Sequence, residues 1–169
     1  MTISLRRTVA LGAAGVFALA GTAITATQAQ AAPAAPRTCQ VSDLYVSAGT
    51  ASPGAGQLYV TVVFTNTSTT ACALRGYPGA SLVGVDHAEV APPATRTGEP
   101  VSTVTINPGS SASALLHTTN GPIGGPCSAA STYLRIYPPA SYQAVLIPYT
   151  LEACSNVFTV SPVHAGTQG

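Results

Sequence analysis

The 169-residue chain contains no lysine, a single methionine at position 1 and only five acidic residues. Each shortage removes something. Five acids without a lysine leave few titratable groups for acid–base catalysis. A methionine confined to position 1 removes the thioether ligands that a copper carrier favours. Cysteine is absent before Cys39, so a lipid-modified N-terminal cysteine has no support.

The chain opens "MTISLRRTVALGAAGVFALAGTAITATQAQAAPAAPR", with Arg6 and Arg7 ahead of an uncharged, mostly apolar run from Val9 to about Ile24. That order is the layout of a secretory signal peptide, and the run is shorter than the roughly 20 apolar residues a membrane span requires. Ala29 and Ala31 are the small residues before a cleavage site, so residues 1–31 are expected to be removed, leaving 138. Leu5, Thr8, Val9 and Ala10 around the paired arginines lack the aromatic and lysine context of twin-arginine export, so general secretion is expected. The mature chain then holds four arginines against five acids, a net charge of −1, which argues against a grip on nucleic acid or anionic lipid.

Residues 32–38 form an Ala/Pro tether. Beyond it, short alternating or β-branched runs are broken by Gly, Pro, Asn and Ser. In "QLYVTVVFTN", Leu58, Val60, Val62 and Phe64 face one way and Tyr59, Thr61, Val63 and Thr65 the other, as a strand with one buried face requires. Similar runs at 41–47, 80–85, 101–106, 112–118, 133–137, 143–147 and 157–161, with no window of helical periodicity, predict an all-β, two-sheet antiparallel sandwich, with a small barrel as competitor.

Four cysteines, Cys39, Cys72, Cys127 and Cys154, lie in the exported part, where an even and widely spaced set predicts two disulfides rather than a zinc site. In "YLRIYPPASYQAVLIPY", Pro138 and Pro139 cannot donate to a ladder and so belong at a hairpin turn. If that turn centres near Ala140, Cys127 and Cys154 fall opposite one another at the open end. Cys39 with Cys72 follows by elimination. The stretch "TNTSTTACALRGYPG" at 65–79 is then a corner: Asn66 ends a strand, 67–70 turn, Cys72 staples the turn to the N-terminal part, and Gly76, Pro78 and Gly79 bend the chain onward.

Six motifs stand in order along the chain: "CxxxDL" at 39–44, "FTNTS" at 64–68, "CALRGYPG" at 72–79, "INPGSSA" at 106–112, "LRIYPP" at 134–139, and Cys154 followed by "FTVSPV". On these residues the sequence resembles the secreted actinobacterial family known as domain of unknown function 4232. The resemblance spans residues 39–163 and leaves 164–169 as a tail. It implies an immunoglobulin-like sandwich, an exported or envelope location and two disulfides, and it brings no activity and no catalytic residue.

No constellation for catalysis stands out. Asp86 and His87 are neighbours that a strand would point to opposite faces, "GASLV" fails as a nucleophile elbow at its last position, and His87, His117 and His164 lie far apart. The "NTS" of 66–68 matches a glycosylation sequon but suits a plain polar turn. The best candidate surface is aromatic: Tyr133, Arg135 and Tyr137 share a strand face, with Tyr142 and Tyr149 on or beyond the partner strand. Those rings suit a sugar or a protein, but cross-strand packing that covers the sandwich edge is the preferred reading.

The expected function is a secreted, non-enzymatic binding module of the cell wall or extracellular space, needing no cofactor or metal. Its expected partner is a cell-wall glycan or an extracellular protein. The alternative is a protease inhibitor that presents "APPATRTGEP", with Arg96 as specificity residue, or "TTNGPIGGPC" as a rigid loop.

Overall fold

The computed structural model describes residues 34–167. The expected leader, the start of the tether and the last two residues lie outside the described residues.

Among the described residues, twelve strands follow a 3-10 turn at Val41–Asp43. They are β1 (Leu44–Ala48), β2 (Ser52–Gly54), β3 (Gln57–Asn66), β4 (Cys72–Arg75), β5 (Gly79–Val83), β6 (Thr95–Arg96), β7 (Thr103–Ile106), β8 (Ser111–Thr119), β9 (Tyr133–Tyr137), β10 (Val145–Pro148), β11 (Phe158–Val160) and β12 (His164–Ala165).

The larger sheet runs β1-β3-β8-β11-β6, with β2 on β3 and β12 on β8. Its spine is the long antiparallel pair β3/β8, in register from Gln57↔Thr119 to Thr65↔Ser111. Period-two alternation puts Val60, Val62 and Phe64 fully inside, opposite Leu116, Ala114 and Ala112. The facing layer consists of β5-β9-β10 and the pair β4-β7. It contributes Leu74, Leu82, Val104, Ile106, Leu134 and Ile136 to the same core. Each such side chain contributes roughly 1.5–3 kcal/mol when fully buried, and the whole is a disulfide-stapled all-β sandwich.

The hairpin register is as the sequence predicts. Val145 faces Ile136 and Pro148 faces Tyr133, and the same register carried outward sets Cys127 against Cys154 in an isolated antiparallel bridge. Ser141 N–H donates to the Pro138 carbonyl at 3.0 Å, and Ala140 takes a φ of 60°. The disulfides are Cys39–Cys72 and Cys127–Cys154.

Several segments differ from their sequence reading. The corner after Cys72 is not all turn, because Cys72–Arg75 is the strand β4, paired with β7 from Cys72↔Ile106 to Arg75↔Thr103. It escapes the alternation test because Cys72, Ala73 and Leu74 are all buried. The chain leading to Cys39 covers the other edge of β4: Ala73 N–H donates to the Arg37 carbonyl and Cys39 N–H to the Ala73 carbonyl. β5 stops at Val83 because the chain turns there, with Gly84 N–H on the Ala88 carbonyl and His87 at a φ of 63°. His164 and Ala165 pair with Ser113 and Ala112. Finally, β6 runs parallel to β11, an exception to the antiparallel pattern.

Asn66 organises the corner. It is fully buried, and its Nδ2 donates to the carbonyls of Thr70 and Ile106 at 2.9 Å each, while its Oδ1 accepts from the Ser68 amide and hydroxyl. Every polar group of that side chain is used, so the sequon asparagine is structural. Across the β1/β3 pairing from it, Arg37 holds Asp43 in a two-pronged ion pair at 2.6 and 2.8 Å, and the Gln40 amide also donates to Asp43. These bonds pull the Asp43 carboxyl down to about 2, the Arg37 bond first and the Gln40 amide next.

Candidate functional site

The aromatic face expected on β9 exists, and a loop crosses it. Tyr133, Arg135 and Tyr137 are half-buried on one side, while Leu134 and Ile136 point into the core. Arg135 donates to the His87 carbonyl at 2.6 Å and lies 3.9 Å from Glu89, which accepts from Ser81. The His87 ring meets Tyr133 edge-on at 5.4 Å. Tyr142 is fully exposed beyond the hairpin turn. Tyr149 does not share the face: its half-buried ring packs against the core, and its hydroxyl donates to the Gly49 carbonyl at 2.8 Å. Burial raises its pKa. Much of the expected surface therefore serves to anchor the 84–90 loop.

A second arrangement lies on the outer face of β3 and β8, half-buried except for the buried Ser113 and Thr119, which sequence reading treated only as the other side of a strand. Alternation sets Gln57, Tyr59, Thr61, Val63 and Thr65 on it, and the register brings Ser111, Ser113, Leu115, His117 and Thr119 beside them. None of these ten residues carries a formal charge when His117 is neutral. The Tyr59 and His117 rings stack at 4.9 Å with 26° between their planes. His117 Nε2 bonds the Gln57 side-chain oxygen, and Nδ1 lies 3.4 Å from the Thr159 hydroxyl. Burial pushes the His117 pKa down, favouring the neutral ring. Pattern analysis could flag Tyr59 as outward, but the cross-strand partner His117 needs the β3/β8 register, which no local signal supplies.

The three histidines stand in different settings. His87 is in the exposed 84–90 turn, His117 on the β8 face, and His164 on β12 with Nε2 3.8 Å from Glu99. Among the described residues, a cluster of candidate metal-ligating atoms occurs at Cys127, Glu152 and Cys154, but both sulfurs are tied in the disulfide. Beside that bridge a cleft of about 310 Å³ is lined by prolines 92, 93 and 126 together with Ala153 and Phe158.

The two candidate inhibitory loops differ. Arg96 is an exposed part of β6, and its guanidinium sits 5.6 Å above the Tyr77 ring. The 120–127 loop is anchored by Gly124 N–H on the Ser155 hydroxyl and by Cys127, and it exposes Ile123.

Among the described residues, strands and a single 3-10 turn, two facing layers and two disulfides define the class: a small disulfide-stapled β-sandwich. Over residues 39–164 the chain matches the family described as "Domain of unknown function (DUF4232)", and it belongs to that family. No curated protein and no solved structure matches it.

Proposed function

We propose that the chain is an exported, non-enzymatic interaction module of the cell wall or extracellular space, and that the outer β3/β8 face binds a neutral glycan. The observation that carries this reading is the face itself: a stacked Tyr59–His117 pair among hydroxyl-bearing side chains, with no guanidinium or carboxylate. Sugar rings offer C–H faces for stacking and hydroxyls for hydrogen bonding, which such a surface matches. A charged polymer would find nothing there to pair with. Export is supported by the leader-like N-terminal sequence and by two disulfides, which persist in oxidising compartments. Among the described residues no helix is long and apolar enough to cross a membrane. The separate settings of the histidines support a role without catalysis.

Co-sedimentation of the oxidised chain with isolated wall glycan tests the reading. Tyr59→Ala is expected to weaken retention roughly 2- to 10-fold, while Tyr133→Ala, on the other layer, leaves it unchanged. Absence of retention on any wall fraction overturns the glycan reading, and full retention of Tyr59→Ala overturns the site.

A second reading, a secreted inhibitor, draws on the anchored 120–127 loop with its exposed Ile123. Stoichiometric block of a subtilisin-like protease, lost in Ile123→Glu, would support it. Cleavage without inhibition would sink it.

A further inference from the structure

Tyr45 and Tyr59 project from the same side of the larger sheet. In β1, Leu44 and Val46 turn into the core while Tyr45 points outward and is 63% exposed. Antiparallel partners share a face, and Tyr45 pairs with Thr65, whose hydroxyl meets that of Ser111 at 2.9 Å across β3/β8. Tyr45 therefore stands on the face that carries the stacked Tyr59–His117 pair. Six positions of β3 separate Thr65 from Tyr59, so the two tyrosines lie about 20 Å apart along the strand, with one strand spacing of about 4.8 Å added sideways.

The ground between the two rings is low and uncharged. Along β3 it consists of Thr61 and Val63, both short and β-branched, flanked by Ser47 on β1 and by Ser113 and Leu115 on β8. The Tyr59 end widens into a transverse row, because Ser52 on β2 pairs with Tyr59, and Thr159 on β11 pairs with both His117 and Thr95. Hydroxyl groups thus flank the stacked rings on both sides. The charges at the border are engaged: Arg37 is held by Asp43 near the Tyr45 end, and Glu99 lies 3.8 Å from His164 on β12, on the side of β8 away from β3.

We propose, on the footing of the glycan reading above, that Tyr45 is a second stacking subsite and that the ligand is an extended, neutral, equatorially linked pyranose chain lying along β3 from Tyr59 to Tyr45. A single sugar cannot reach both rings. A pyranose ring with its linking oxygen, built from single bonds of roughly 1.5 Å, advances roughly 5 Å per unit when its linkages are equatorial, so about five units are needed to cover both tyrosines. Equatorial linkage also keeps the chain a flat ribbon whose C–H faces can meet an aromatic ring at each end of a sheet surface. An axially linked chain coils and loses one ring when it covers the other. Among the described residues the track offers no unpaired cation, so an anionic polymer would lose hydration there without gaining a partner.

The test titrates the oxidised chain with neutral β-1,4-linked N-acetylglucosamine oligomers of one to about eight units, and with an α-1,4-linked glucose series of the same lengths. Sliding of a long ligand over one subsite raises affinity in every variant alike, so the readout is the ratio of wild-type to Tyr45→Thr affinity at each length, threonine being chosen because it suits a strand. That ratio is expected to stay at about 1 for short oligomers and to rise roughly 2- to 10-fold from about five units on, with Tyr45→Phe behaving as wild type and the α-linked series showing no rise. Tyr142→Ala, on the hairpin of the other layer, leaves the whole ladder unchanged. Should Tyr45→Thr unfold, the ring resonances of Tyr45 in the wild type decide instead, since they are expected to shift with six units and not with two. A ratio that is the same at every length, or Tyr45 resonances that no oligomer moves, overturns the second subsite while the Tyr59 site stands. Retention on wall glycan without binding of any β-1,4 oligomer overturns the ribbon class. Absence of both overturns the glycan reading itself and the subsite with it.

Discussion

Cys127 stands directly opposite Cys154, in the register that pairs Tyr133 with Pro148 and Val145 with Ile136. The bridge therefore staples the open end of a hairpin whose closed end is the 138–141 turn. Replacing both cysteines by serine is expected to lower the unfolding free energy by roughly 2 to 5 kcal/mol while leaving the Cys39–Cys72 bond formed. Urea titration measures the first quantity, and non-reducing peptide mapping the second. A map that joins Cys39 to Cys127 or Cys154 contradicts the register.

Asn66 gives a second prediction. Its amide nitrogen serves the carbonyls of Thr70 and Ile106 in a place without solvent, so Asn66→Ala leaves buried acceptors without a donor. Asn66→Asp also removes both donors and brings a carboxylate against those carbonyls. Each substitution is expected to cost roughly 2 to 4 kcal/mol, read as a lower denaturation midpoint, with the aspartate worse at pH 7 and partly recovering as it protonates. An Asn66→Ala chain as stable as the wild type would show that the corner does not depend on this side chain.

The layout was legible wherever one face of a strand was dry and the other wet. The alternation of 57–66 gave β3 and its buried set, and two prolines located the hairpin turn closely enough to pair the cysteines. β4 was hidden because Cys72, Ala73 and Leu74 are buried on both sides, one of them by the chain near Thr38, a contact invisible locally. β6 and β12, two residues each, carry no periodicity and exist only because a neighbouring strand offers its edge. The candidate surface was legible only in part for a related reason. Alternation placed Tyr133, Arg135 and Tyr137 on one face correctly, yet it could not show that the 84–90 loop folds across that face. Nor could it show that β8 would bring His117 beneath Tyr59.

Asp43 links the N-terminal part of the domain to acid stability. Its carboxyl titrates at about 2 in the fold, depressed first by the Arg37 bond and then by the Gln40 amide, against about 3.9 when unfolded. The folded value is the lower one, so its contribution is complete above about pH 4 and disappears as pH falls toward about 2. Urea midpoints of the wild type and Asp43→Asn are expected to differ by a constant amount from pH 7 to about 4, and to converge below that. A difference that stays constant down to pH 2 would mean that the carboxylate charge is not what matters.

Ala140 holds a φ of 60° in the turn closed by Ser141 N–H on the Pro138 carbonyl. A proline at the second position and a left-handed third position are the marks of a type II turn, where alanine pays a steric penalty that glycine avoids. Glycine also loses more chain entropy on folding, which offsets part of the gain. Ala140→Gly is therefore expected to stabilise the protein by roughly 0.5 to 1 kcal/mol, and Ala140→Val to destabilise it, because a β-branched side chain fits a positive φ worst. Thermal midpoints of the two variants, measured with both disulfides intact, check the pair. If Ala140→Gly is the less stable, the turn is of another type, and the register that carries the Cys127–Cys154 bridge must be set by strand packing instead.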